Sequence, residues 1–194
     1  MKKLSLIIVV VFVLGSFLIY YLQMDDVSVM LMIDINPSIK VSLNESNEVV
    51  EVKAMNSDAQ SLQFDDLLGS QVDVAVNLIV ERAEAQGFLN VENLEEDYVM
   101  LTTVPMGKSS EKQADKLKVT LKDRIGDSFN VAIIKATKVE MREAEGKKVP
   151  VGLYVVNGGV SIDGQTMSVK EYFSNNDNAN KFKEKGILLE KSNE

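Results

Sequence analysis

The peptide Asp34-Ile35-Asn36-Pro37-Ser38 carries the side chains whose types and spacing best suit a chemical reaction. An Asn side-chain amide can attack the carbonyl carbon of its own residue, expel the nitrogen of the next residue and leave a succinimide. With most following residues a competing reaction is faster, because their backbone nitrogen attacks the Asn side chain and deamidates it. The nitrogen of Pro37 carries no hydrogen and cannot react in this way. The bond between Asn36 and Pro37 is therefore biased towards chain cleavage.

The same peptide also has a simpler interpretation, as a turn between two strands. Proline lacks a backbone N–H and belongs at turns and strand edges. Pro37 also restricts Asn36 to extended conformations, which narrows the angles of attack. By strand alternation Asp34 points to the same face as Asn36. Asp34 is thus a candidate for orienting the Asn36 amide, or only a polar residue at the end of a strand.

The composition excludes most other site chemistry. The chain has no Cys, no His and no Trp, which excludes disulfides, thiolate metal sites, a thiol nucleophile and a Ser-His-Asp triad. Thioethers without Cys or His make poor metal sites, so we predict apolar filler at five methionines: Met30, Met32, Met55, Met100 and Met106. We predict no cofactor and no metal.

The charge balance and the acidic residues bear on two further functions, nucleic-acid binding and hydrolysis of a substrate. The chain has 21 basic and 29 acidic residues, a net charge of −8, which argues against binding to nucleic acid phosphates. Carboxylates at Glu95, Glu96 and Asp97 could in principle serve as a hydrolytic acid and base, but a polar run before a strand is typical of a solvated turn. We therefore predict no enzyme, apart from a single-turnover cleavage of the chain itself.

The N-terminal segment predicts a membrane anchor. Residues 4–22 contain no charge, and as a helix they are about 28 Å long, close to the thickness of a bilayer core. Lys2 and Lys3 precede the run and Asp25 and Asp26 follow it. The positive flank stays in the cytoplasm. We expect a cytoplasmic stub over 1–3, a single transmembrane helix over 4–22, and a domain outside the cell at the cell membrane.

The remaining pattern predicts an α+β domain over 27–156. Apolar residues alternate with polar ones in the strand segments and recur at helical spacing in the helices. The order is β-β-β-α-β-α-β, with strands at 27–35, 39–43, 50–54, 98–104 and 130–139 and helices at 71–86 and 111–126. Two main helices should pack on one antiparallel or mixed sheet. Residues 157–194 are rich in Asn, Lys and Glu and are predicted to be a partly disordered extension, with a short helix over 168–173.

The run Val29–Leu43, VMLMIDINPSIKVSL, followed by Val49–Asn56, VVEVKAMN, resembles the middle domain of RsgI-type anti-sigma factors of Firmicutes. That domain begins with a strand, a D-(I/V)-N-P-S peptide, a second strand and a V-x-x-(A/V)-K-A-x-N stretch. The later helices and strand are similar in order and length, so the resemblance covers 27–156.

The resemblance implies a function and assigns roles to two residues. Family members hold a sigma factor through a short cytoplasmic domain before the membrane helix. Their middle domain can cleave itself at the Asn-Pro bond, and the two pieces stay associated. Loss of the outer piece exposes the stub to membrane proteases and releases the sigma factor. By this resemblance Asn36 supplies the attacking amide and the scissile carbonyl, and Pro37 is the leaving group.

The sequence departs from the family pattern at both ends. Only residues 1–3 precede the predicted membrane helix, so we expect no sigma-binding part. At the other end we expect a polar tail and no sensor domain. Either the start lies upstream of Met1, or the chain is a reduced, stand-alone version.

Two functional hypotheses follow from these observations. The first is a membrane-anchored signalling module that cleaves itself, with a protein partner in a sigma-factor system and a cell-wall or polysaccharide signal. The second is an uncleaved structural or interaction domain at the cell surface. In that case the strand 27–35 could accept a partner strand at an open sheet edge.

Overall fold

A computed structural model of the protein describes residues 12–13, 27–89, 98–125, 129–157 and 168–189. The strands are β1 (Val29–Asp34), β2 (Ser38–Leu43), β3 (Val49–Ala54), β4 (Val99–Pro105), β5 (Val131–Lys135) and β6 (Ile187–Leu189). The helices are α1 (Val72–Ala85), α2 (Glu111–Ile125), α3 (Lys138–Lys147), α4 (Val151–Val156), α5 (Val169–Phe173) and α6 (Asn176–Lys185). Two short 3-10 turns, Ala59–Ser61 and Asp65–Leu67, precede α1.

The six strands form one mixed sheet in the order β3-β2-β1-β4-β5-β6. β1 pairs antiparallel with β2 on one side and with β4 on the other. β4 and β5 are parallel, and α2 supplies the crossover that a parallel pair needs. Because both edges of β1 are paired, this strand has no free edge for a partner strand. The prediction that 27–35 could accept one is therefore wrong.

One face of the sheet packs against α1 and α2. Alternate residues of β1, including Leu31 and Ile33, are fully buried there together with Ile79 of α1 and Leu117 of α2. This layer contains the two main helices that the sequence predicts. Helix α1 follows Gln71, which occupies the N-cap position and makes no side-chain cap bond.

The other face packs against α3, α4, α5 and α6. On this side Met100 is buried beside Tyr172 and Phe182, and Met32 is buried beside Met141 and Tyr154. The prediction of methionine as apolar filler is confirmed at these two positions and at the half-buried Met30, Met55 and Met106. The sheet is thus covered on both faces, which explains why residues 131–134 are all apolar.

Elements beyond residue 157 differ from the expected loose extension. Within 168–189 the structure describes α5, α6 and β6, and β6 pairs with β5. The ring of Phe173 stacks on Tyr98 with centroids 4.5 Å apart and meets Phe182 edge-on at 5.3 Å. The short helix predicted over 168–173 is confirmed as α5. α6 and β6 each contribute only a few apolar residues, so periodicity along the sequence is too weak to reveal them.

The transmembrane helix predicted over 4–22 is the part of the fold class that is wrong. In the described ranges, no helix has the length and apolar character needed to cross a membrane. Of residues 4–22 only Phe12 and Val13 are described, and both are helical; the others lie outside the described residues. An apolar run shows a preference for apolar surroundings, but it does not fix a continuous helix of spanning length. The α+β part of the prediction fits the six-stranded sheet.

We predict that Gly186→Ala destabilises the whole domain. A Cβ at this position would lie 2.7 Å from the backbone oxygen of Ile133 and 2.5 Å from the ring of Phe182, and overpacking of this kind costs about 1–3 kcal/mol. Gly146→Ala is the matched control, because nothing lies within 4 Å of its Cβ position in α3. It should raise the free energy of unfolding by about 0.5–1 kcal/mol. Urea unfolding measures both, and an unchanged midpoint for Gly186→Ala would show that α6 and β6 do not pack on the sheet.

Candidate functional site

The bond between Asn36 and Pro37 lies in the tight turn that joins β1 to β2. The antiparallel register pairs Asp34 with Ser38, which leaves three residues in the loop. The backbone N–H of Ile35 donates to the carbonyl oxygen of Pro37 at 2.9 Å. This hydrogen bond spans the candidate scissile bond and closes the turn.

Asn36 adopts a left-handed backbone conformation, with φ of +77°. The expectation that Pro37 would keep Asn36 extended is wrong. Reversing the chain within three residues requires a positive φ, and Asn tolerates this conformation better than most residues with a side chain. A non-glycine residue in this region carries strain of about 1–3 kcal/mol. The strained residue is the one whose carbonyl would be attacked.

The residues around the bond differ in burial. Asn36 is exposed and Pro37 is buried, while Asp34 is only 3% exposed. The attacking amide thus has room to move, whereas the leaving residue and the nearby carboxyl group are held in the protein. Rotation of the exposed Asn36 side chain is therefore the main motion that the packing around the turn allows.

Asp34 is a buried carboxyl group with one partnered oxygen. The hydroxyl of Ser38 donates to its Oδ1 at 2.7 Å, and its Oδ2 has no hydrogen-bond partner in the described part of the chain. Burial raises the pKa of Asp34 from 3.8 to about 6, and the Ser38 hydrogen bond opposes this increase. The group therefore titrates close to neutral pH, in the range where a carboxyl group can exchange protons with a reacting amide.

Asn56, directly after β3, contacts the turn from the other side. Its Oδ1 accepts the backbone N–H of Ser38 at 3.2 Å and that of Ala59 at 3.0 Å. Asn56 is the last residue of the VVEVKAMN stretch, and its sequence context predicts no role for it in the reaction. The sequence feature that could have revealed its role is its position shortly after a strand, where an Asn side chain often accepts backbone N–H groups.

A cavity of about 560 Å³ lies beside the turn. One wall consists of Asp34, Asn36, Ser38 and Asn56, together with methionine side chains, and the opposite wall is the connection between α3 and α4 with the start of α5. The fold thus brings Asp34 and Asn36 to the same cavity, and it does so through the turn rather than through strand alternation, because β1 ends at Asp34. Pro37 is adjacent in the chain but does not line the cavity.

Glu95, Glu96 and Asp97 lie outside the described residues. Within the ranges that the structure does describe, no cluster of three or more Asp or Glu residues could hold a metal ion. The chemistry of the site therefore comes from an amide, a carboxyl group and a strained peptide.

Comparison with known families gives a match over most of the described fold. Residues 28–158 match the family described as "Anti-sigma factor RsgI-like central domain". This range begins just before β1 and ends just after α4, so it includes the strained turn and both layers of helices except α5 and α6.

Three curated relatives come from Acetivibrio thermocellus. Anti-sigma-I factor RsgI7 is 44% identical over 80 residues, which are 41% of this chain and 14% of that protein. Anti-sigma-I factor RsgI6 is 28% identical over 137 residues, 64% of this chain and 18% of that protein. Anti-sigma-I factor RsgI9 is 24% identical over 151 residues, 72% of this chain and 21% of that protein. The matched part of this chain thus spans about a fifth or less of each relative's length.

We predict that Asp34 makes the folded protein less stable as the pH rises from about 4 to about 6. Its pKa in the folded state is raised, so its contribution to stability is complete below 3.8 and is lost as the pH rises through about 6. The loss is at most about 3 kcal/mol. Asp34→Asn removes this titration, so the unfolding free energy of the variant relative to the parent should increase between pH 4 and pH 7. A difference that does not change with pH in urea unfolding would contradict the assignment.

Proposed function

The chain belongs to the family of anti-sigma factor RsgI-like central domains, and on this premise we propose that it is a signalling module in a sigma-factor regulatory system that cleaves itself between Asn36 and Pro37. The match over 28–158 confirms the resemblance inferred from the sequence. The observation that carries the self-cleavage proposal is the left-handed conformation of Asn36 immediately before a buried proline.

The proposed reaction is an internal acyl transfer. The side-chain nitrogen of Asn36 attacks the backbone carbonyl carbon of the same residue and forms a new C–N bond. The bond from that carbon to the nitrogen of Pro37 breaks, and a proton lost by the side-chain nitrogen ends on the proline nitrogen. The products are a succinimide on the N-terminal fragment and a secondary amine at Pro37. Water enters only later, when it hydrolyses the succinimide.

Asp34 is proposed as the group that polarises the Asn36 amide. Its unpartnered Oδ2 belongs to a carboxyl group that lines the same cavity as Asn36. Above a pH of about 6 the carboxylate is ionised and can accept a hydrogen bond from the amide, which makes the nitrogen a better nucleophile. Below that pH the protonated acid loses this ability.

The position of β1 explains how the two fragments would stay together. After cleavage, β1 belongs to the N-terminal fragment and every other strand to the C-terminal fragment. β1 pairs along its whole length with β2 and with β4, and Val29, Leu31 and Ile33 are fully buried. Each such side chain stabilises the complex by about 1.5–3 kcal/mol. The two fragments therefore stay associated after cleavage until β1 is pulled out of the sheet.

Withdrawal of β1 is the proposed signalling event. Intact pairing holds the fragments as one unit, whereas removal of the strand separates whatever is attached to each fragment. The relatives are named anti-sigma-I factors, and for this chain a protein partner in a sigma-factor system is our proposal. Its location outside the cytoplasm and a cell-wall or polysaccharide signal stay predictions.

We predict that the full-length chain, denatured before mass analysis, gives two fragments that meet between Asn36 and Pro37. The N-terminal fragment should be one water lighter than its hydrolysed form. Without denaturation the fragments should elute together in size-exclusion chromatography, because β1 remains in the sheet. A single full-length mass that is stable over days would rule out self-cleavage and leave an uncleaved interaction domain.

Two variants separate this chemistry from proteolysis. Asn36→Ala removes the nucleophile and should give one mass. Pro37→Gly keeps the amide but supplies a backbone N–H, so deamidation at Asn36 should replace cleavage. Equal cleavage in all three proteins would point to a contaminating protease.

We also predict that the rate of self-cleavage increases with pH and levels off above about 6. The uncleaved chain is kept unfolded in urea and refolded by dilution between about pH 5 and about pH 8, and fragment formation is followed by mass. Asp34→Asn should be slower by about 10- to 100-fold at pH 7 and should show no step near pH 6. A step that persists in Asp34→Asn would assign the titration to another group.

A further inference from the structure

We propose that Asn56 is a positioning residue for the cleavage between Asn36 and Pro37. The inference rests on the proposed self-cleavage. It adds the hydrogen bonds that keep the backbone of Asn36 in its strained left-handed conformation. Asn56 does not contact the reacting atoms; it acts through Ser38, the residue after the leaving group.

Ser38 is held at three points. Its backbone N–H donates to Oδ1 of Asn56 at 3.2 Å, and its carbonyl oxygen accepts the N–H of Met55 at 2.9 Å. Its hydroxyl donates to Asp34 at 2.7 Å. With Ser38 fixed, buried Pro37 cannot swing outwards, and Asn36 cannot rotate back to a negative φ.

Asn56 is itself fixed to the core. The same Oδ1 accepts the N–H of Ala59 at 3.0 Å. Ala59 begins a 3-10 turn and is fully buried in the core between the sheet and helices α1 and α2. The rigidity of the core is thus transmitted through one amide oxygen to the main chain beside the scissile bond. Loss of that oxygen frees the turn, and the strain at Asn36 relaxes without cleavage.

The contacts also predict what Asn56 does not do. Asn56, Ser38 and Pro37 all lie in the C-terminal fragment, whereas β1 lies in the N-terminal fragment. The hydrogen bonds of Asn56 therefore connect parts of one fragment and do not hold β1 in the sheet. A change at Asn56 should alter the rate of cleavage but not the retention of β1 after cleavage.

The test compares fragment formation after refolding of the full chain. Asn56→Ala should slow cleavage by about tenfold or more, the factor that corresponds to release of the strain at Asn36. Asn56→Asp keeps an acceptor oxygen for both N–H groups and should restore most of the rate. Once cleaved, Asn56→Ala should release β1 at the same urea concentration as the equally destabilised control variant described below.

Asn44→Ala is the matched control. Asn44 also uses its Oδ1 to accept two backbone N–H groups, from Ser46 at 2.9 Å and Glu48 at 3.0 Å, in the turn between β2 and β3. Stability of both alanine variants is compared by urea unfolding in the non-cleaving Asn36→Ala background. Asn44→Ala should be destabilised to a similar degree and should cleave at the parental rate.

The possible outcomes distinguish failure of the proposed self-cleavage from failure of the role proposed for Asn56. A parent chain that never cleaves overturns the proposed function, and this inference with it. A parent that cleaves while Asn56→Ala cleaves equally fast overturns the inference alone. Equal slowing by Asn44→Ala and Asn56→Ala would also overturn it, because the effect would then reflect general stability.

Discussion

The pairing of β1 with a strand on each side is the constraint on which the rest of the structure depends. The strand lies inside the sheet, between β2 and β4, and both cores use its side chains. It also leads directly into the strained turn. A break after β1 therefore cuts the chain without dismantling the domain, because hydrogen bonds and buried apolar surface hold the strand in place.

Two features of the site oppose stability, and both lie at the end of β1. Asn36 is held in a left-handed conformation, and Asp34 is buried with one oxygen unpartnered. Strain and unsatisfied burial persist only where the surrounding structure enforces them. Here the tight register of the hairpin and the bracing by Asn56 enforce the strain, and the helices of the second layer enforce the burial. The proposed function of the turn rests on these two features, the strained backbone of Asn36 and the unpartnered oxygen of Asp34.

Much of the fold could be predicted from the sequence, because local patterns determine it. Alternation predicted the first three strands, and helical spacing predicted α1 and α2 within one or two residues. The peptide at 34–38 was identified from chemistry alone. The transmembrane helix predicted over 4–22 was the error, because a continuous helix was inferred from the apolar character of the segment alone. The short elements α6 and β6 were missed, since each has too few apolar residues to produce a period.

The sequence by itself determined which atoms can react, because an Asn followed by Pro is a covalent fact. It also determined that Asp34 and Ser38 each lie two residues from Asn36 in the same peptide. Only the tertiary structure decided that Asn36 is left-handed and that the pKa of Asp34 is raised to about 6. Backbone strain and desolvation arise from contacts between residues far apart in the chain, here β1, Asn56 and the connection between α3 and α4, and no local pattern contains them.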